Sequence, residues 1–312
     1  MSERINLYTL IHDLSGQYDY IAIGDTNHRD ESVRALRGDL GLFRVAKNAG
    51  YDAFTLENPP EDYLVNDVVA AQIDAVPGRD AQAFFYESVE KGGDPVDLVG
   101  AFAAKAFDMT AIYPDPRYSP RFNVELTKAY DVIAQAPEVA CQDVFLQAHW
   151  NAEPQAADYF QEEVRKGDDV IASRTAELSA GRALIVYGNG HFTGQNDLNE
   201  RLGGDNVVHI AAIASRQSGY DFSSDSPGEA IDAPDYLYVI DEDAVIPFAL
   251  ENPDVRAIID NYTSNTIENL DQESFDSCTQ ALPDDLRGHA VTQDEYDQAR
   301  QNAALAPPLI PK

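Results

Sequence analysis

Cysteine occurs twice in the 312 residues, at Cys141 and Cys278, and tryptophan once. Two cysteines far apart in sequence form no C-x-x-C zinc or redox motif and no disulfide framework, a usage compatible with a reducing compartment. Positive charge is scarce: 22 lysines and arginines face 54 aspartates and glutamates, a formal net charge of −32. That balance repels polyanions, so neither nucleic acid nor an anionic membrane is an expected partner. No run approaches the roughly 18 consecutive apolar residues of a membrane span. The opening "MSERINLYTLIHDLSGQYDY" has no basic region leading into a long apolar one, so no secretory signal is expected and the expected location is cytoplasmic. Missing too are a G-x-S-x-G elbow, a G-x-x-x-x-G-K-[ST] phosphate loop and a G-x-G-x-x-G fingerprint, which disfavours a covalent serine nucleophile and nucleotide chemistry.

Hydrophobic residues nevertheless make up 44% of the chain, enough for a substantial core. "YIAIG" (20–24) reads as a buried strand, followed by Val33, Leu36, Leu40 and Phe43 at helical spacing. "YDAFTLENPP" (51–60) is a second strand, ended by prolines that cannot continue the ladder. Residues 62–138 read as a helical insertion, "CQDVFLQAHW" as an ambiguous strand, and "PQAADYFQEEVRKGDDVIASRTAEL" as one long helix interrupted near Gly167. "RALIVYGNGH" is the clearest strand, "NDLNERLGG" a short helix, "NVVHIAAIA" and "DYLYVID" further strands, and "NPDVRAIIDNY" a helix. An acidic C-terminal extension begins near residue 223 and ends in "APPLIPK". Strands alternating with helices predict a single α/β domain with a mostly parallel central sheet and helices on both faces.

The chemistry collects where strands end. Asp25 and His28 follow the first strand, Glu57 the second, and His191 the strand "RALIVYG". Ligands of open α/β sheets bind beyond the carboxyl ends of the strands, so these four belong to one candidate site. Two imidazoles and two carboxylates suit general acid–base work on water, hence hydrolysis. They are equally legitimate ligands for a divalent ion such as zinc or manganese.

"GDTNH", "TLE" and "YGNGH", in that order and spacing, resemble the superfamily of erythromycin esterases and ChaN-like proteins, with the related Tiki/TraB and toxin endopeptidase domains. The resemblance places Asp25 at the first acidic position of the esterase motif, His28 at the general base, Glu57 at the glutamate closing the second strand, and His191 and Asn189 on the late H-N-x-H motif. Arg37 matches an arginine in the helix after the base. Asp25 stands where a glutamate is usual, Arg29 and Gly188 replace a glycine and a histidine, and the R-[DN]-x-x-M-A pattern survives only as "GDDVIA", with Gly167 at the arginine position.

The resemblance implies a metal-independent hydrolase acting on an ester, lactone or amide of a small molecule or peptide. In it His28 activates water, Asp25 and Glu57 orient the base, and His191 and Arg37 stabilise the oxyanion. Its other branches imply a metal-dependent peptidase-like enzyme of the Tiki/TraB kind, or a ChaN-like haem binder. Outside the motifs, Arg34 and Arg44 read as a solvated stripe beside Arg37, His149 as structural, Tyr187 as a core aromatic, and His12, His209 and His289 as residues without a constellation.

Overall fold

Along the first strand, Tyr20 and Ala22 face one side and Ile21 and Ile23 the other, and all four are buried. A strand covered on both faces reads as a continuous apolar run, which is why these segments show no polar alternation. The computed structural model describes residues 4–26, 30–57, 100, 103–115, 120–160, 167–192, 198–214, 233–264 and 270–303. Seven strands, β1 (Tyr20–Asp25), β2 (Ala53–Leu56), β3 (Thr110–Ile112), β4 (Ala183–Gly188), β5 (Val207–Ile213), β6 (Tyr236–Val239) and β7 (Ala244–Pro247), form one sheet in the order β3-β2-β4-β1-β5-β6-β7. All neighbours pair in parallel except β6 and β7, which are antiparallel. The fold is therefore the expected α/β architecture.

One face of the sheet is covered by α1 (Leu7–Leu14) and α3 (Leu40–Asn48), whose Leu7, Ile11, Leu42 and Phe43 pack on Ile21, Ile23, Phe54 and Val186. The opposite face is covered by the helices Gly167–Leu178 and Leu198–Arg201, with Ile171, Ala172 and Leu198 against Ala22, Ile185 and Tyr187. The helix Pro253–Ser264 joins β5, β6 and β7 through Val255.

Several segments depart from the reading above. Val33 to Phe43 is not one helix: α2 (Glu31–Arg34) passes into a 3-10 turn at Ala35–Gly38, Asp39 turns extended, and α3 starts afresh with the Asp39 carboxylate accepting from Gly41 N–H at 2.7 Å. Side-chain capping of this kind restarts a helix. "CQDVFLQAHW" supplies the helix Gln142–Ala152, not a strand, since Val144, Phe145, Ala148 and His149 lie on one buried face at helical spacing. Within the span read as a helical insertion, β3 is an edge strand and Pro120–Ile133 is helical; residues 58–99, 101–102 and 116–119 lie outside the described residues.

The acidic region adds β6 and β7 to the sheet and then the helices Gln272–Gln280, Asp284–Arg287 and Gln293–Ala303. These three pack on Gln142–Ala152 as a helical lobe with its own core, including Phe145, Ala148, Phe275, Leu282 and Tyr296. Cys141 and Cys278 form a disulfide across that core, with Cα atoms 5.2 Å apart and a separation of 137 along the sequence. Sequence spacing gave no sign of the pair because tertiary packing alone brings the two helices together.

Candidate active site at the strand ends

β1 ends in Asp25, and its neighbour β4 ends in Gly188, whose turn Asn189–His191 is a single 3-10 turn. β2, on the far side of β4, delivers Glu57 just past its last residue. Parallel pairing thus fixes three carboxyl ends side by side, on the edge where open α/β sheets bind their ligands.

Arg37 reaches this place from the 3-10 turn between α2 and α3, and only the break at Asp39 puts it there. Its Nη2 lies 3.1 Å from Asp25 Oδ2 and 3.9 Å from Glu57 Oε2. Glu57 Oε2 also accepts the Gly188 backbone N–H at 2.7 Å, and Glu57 Oε1 lies 3.4 Å from His191 Nε2. His191 Nδ1 is 2.6 Å from Asp168 Oδ1. Asp168 stands in the first turn of Gly167–Leu178, where a carboxylate suits the helix dipole. Arg201 pairs with the adjacent Asp169, which ties the following helix to this one.

Asp25, Arg37, Glu57, Asp168 and His191 are each 6% exposed or less. Buried charges persist when they are paired and hydrogen-bonded, and here each has an oppositely charged or hydrogen-bonding neighbour. Both ring nitrogens of His191 face carboxylate oxygens, an arrangement satisfied when both carry hydrogens. The imidazole is further fixed by the Tyr187 ring, edge-on with centroids 5.2 Å apart.

Of the five residues singled out in the sequence, the structure joins Asp25, Arg37, Glu57 and His191 in one connected cluster, and His28 lies outside the described residues. Asp168 was missed, although it occupies the second position of "GDDVIA", which lines up with the [DN] of the R-[DN]-x-x-M-A pattern. His209, read as isolated, is wholly buried on β5 with Nε2 2.9 Å from Asn189 Oδ1; burial lowers its pKa to about 3. His149 is a buried histidine of the helical lobe beside Trp150, its pKa lowered chiefly by burial. Arg44 lies over the Phe107 ring.

The donor set was tested for a divalent ion. Among the described residues, three potential ligands converge only at Glu138, Cys141 and Cys278, where the sulfurs are bonded to each other and supply no thiolate. At the strand ends the carboxylates of Asp25 and Glu57 share a guanidinium, which takes the cation's place, so the described residues do not fit a metal centre.

Fold and cluster define an α/β protein with a buried acid–base cluster at the carboxyl edge of its sheet. No protein-family model matches the chain, and comparison with curated proteins and with solved structures likewise finds no match.

Proposed function

We propose that this protein is a hydrolase of the erythromycin-esterase/ChaN-like kind, cleaving an ester, lactone or amide with water activated by a histidine rather than by a metal. The observation that supports it most is the unbroken line Asp25–Arg37–Glu57–His191–Asp168 at the strand ends. A carboxylate that holds one imidazole nitrogen fixes the ring, as Asp168 does for His191, whose other nitrogen lies 3.4 Å from Glu57 Oε1.

In this reading His28 removes a proton from water as the water oxygen bonds to the substrate carbonyl carbon. The carbonyl π electrons move to oxygen, and Arg37 with protonated His191 stabilises that oxyanion. Its collapse breaks the bond to the leaving group, which takes a proton from the imidazolium of His28. Asp168 orients His191, while Asp25 and Glu57 hold Arg37 in place.

Expected losses in kcat are on the order of 10²–10⁴-fold for His28→Ala or His191→Ala, measured on a panel of aryl esters, lactones and amides. Asp168→Asn, which keeps the shape but removes the charge, should cost on the order of 10–100-fold. Unchanged hydrolysis of a confirmed substrate by His28→Ala and His191→Ala would overturn the assignment. Activity that disappears on chelation and returns with zinc or manganese would move the protein to the metal-dependent branch.

No helix among the described residues is long and apolar enough to cross a membrane. The cytoplasmic location expected from the sequence sits poorly with a buried disulfide, because such bonds persist in oxidising surroundings. We propose an oxidising compartment as the working environment in which that bond would persist.

A further inference from the structure

The Cβ that Gly24 lacks would lie 2.1 Å from Asn189 Oδ1 and 2.9 Å from His209 Nε2. The amide of Asn189 therefore crosses the end of β1 in the space left by a missing side chain, from the β4 side to β5, and meets His209 at 2.9 Å. Asn189 is wholly buried and His209 nearly so, with the Phe192 ring packed on the imidazole at 4.9 Å between centroids. The His209 backbone is pinned separately, its N–H donating to Asp235 Oδ2 at 2.8 Å.

The direction of this hydrogen bond decides how the Asn189 amide is oriented. Among the described residues His209 Nδ1 has no partner, whereas Nε2 faces the amide. A buried neutral imidazole carries one hydrogen, and a donor without an acceptor costs more than a bare lone pair, so the hydrogen resides on Nε2. Asn189 then accepts through Oδ1, and its Nδ2 is turned away from His209.

We infer that His209 is a positioning residue for the strand-end site: its Nε2–H donates to Asn189 Oδ1 across the bare Cα of Gly24, fixing the Asn189 amide and with it the turn that carries His191. Asn189 and His191 belong to the same 3-10 turn, so a rotation of the first displaces the second. A displacement near 1 Å at a reacting group is enough to cost about 100-fold in rate. The catalytic consequence rests on the hydrolase reading above; the hydrogen bond itself does not.

The test has two arms. Nitrogen-15 NMR of histidine-labelled wild type at pH 7 should show a histidine in the neutral Nε2–H tautomer, and that signal should vanish in His209→Gln. An Nδ1–H tautomer assigned to His209 overturns the inference whatever the activity. In the kinetic arm, His209→Leu, without a donor, should lower kcat on the order of 10–100-fold with KM nearly unchanged. His209→Gln, whose side-chain amide can still donate, should restore most of that loss. Equal loss in both variants, or none in His209→Leu, overturns the positioning role. A wild type that hydrolyses nothing overturns the hydrolase reading, and the tautomer alone then decides the inference.

Discussion

At the carboxyl edge of the sheet five ionisable side chains are buried and held by charge pairing, whereas the helical lobe buries apolar side chains around one covalent link. The first region draws its precision from strand register: β1, β4 and β2 must end side by side before Asp25, Glu57 and His191 can meet. Among the described residues the lobe has no strand to index it. It is made of short helices on a small core, and below a certain core size a staple takes over part of the stabilisation. The contrast separates two demands: the site needs geometry that the sheet supplies, and the lobe needs cohesion that its core alone does not.

Removing the staple is the largest expected perturbation. In the chain-entropy account, a link closing a loop of this length is worth about 5 kcal/mol, and Cys141→Ser with Cys278→Ser should destabilise by up to that amount. Trp150, the only tryptophan, lies in the lobe helix Gln142–Ala152 and reports on that region by fluorescence, while far-ultraviolet circular dichroism reports on the whole. In urea the double variant should lose its fluorescence signal first. Coincident transitions would mean that lobe and sheet unfold as one unit and would erase the comparison.

Arg37→Leu attacks the other region. It leaves Asp25 and Glu57 buried without their guanidinium, a change expected to cost about 3–5 kcal/mol. Adding Asp25→Asn should recover part of it, since the unpaired charge rather than the lost contact dominates the penalty. Here the dichroism midpoint should fall together with the fluorescence midpoint, because the strand ends lie at the centre of the sheet.

The strands that carry the site were legible because burial on both faces leaves an unbroken apolar signature: 20–24, 53–56, 183–187 and 207–213 all read as strands. Asp25, Glu57 and His191 were legible for a related reason, as polar residues where such runs stop. β3, three residues long, carries too little apolar signal to stand out from its surroundings, and β7 is an apolar run of only four residues closed by Pro247. Asp168 was hidden because a carboxylate in a first helical turn is ordinary capping chemistry, and only its distance to His191 marks it. The disulfide and the His209–Asn189 bond depend on contacts between distant segments, which no local pattern encodes.

Gly24 tests how tightly register is used at the site. Gly24→Ala places a methyl group on the Asn189–His209 bond and should cost about 1–3 kcal/mol by overpacking, read as a lower urea midpoint. Gly16, where nothing lies within 4 Å of the corresponding position, is the control, and Gly16→Ala should stay within about 0.5 kcal/mol. Equal effects at both positions would show that the close approach at Gly24 relaxes freely.

The most gradual effect, spread over several pH units, distinguishes the two buried regions by acid. His209 has a native pKa of about 3, depressed by burial from the ordinary 6.5. Between those values the unfolded chain binds a proton at this position and the native protein does not, so stability falls as pH falls. Above pH 6.5 the residue contributes no pH dependence, and below about pH 3 the loss is complete. For this one group the slope approaches about 1.4 kcal/mol per pH unit. His209→Gln carries no titrating group and should flatten the stability profile between pH 6 and 4 by about that slope. The lobe's tryptophan signal, followed in the disulfide-free protein, should show no matching change, since His209 sits under the strand ends. An identical pH slope in wild type and His209→Gln would mean that His209 takes up its proton in the native protein as readily as in the unfolded chain, and that its burial does not hold the ring neutral.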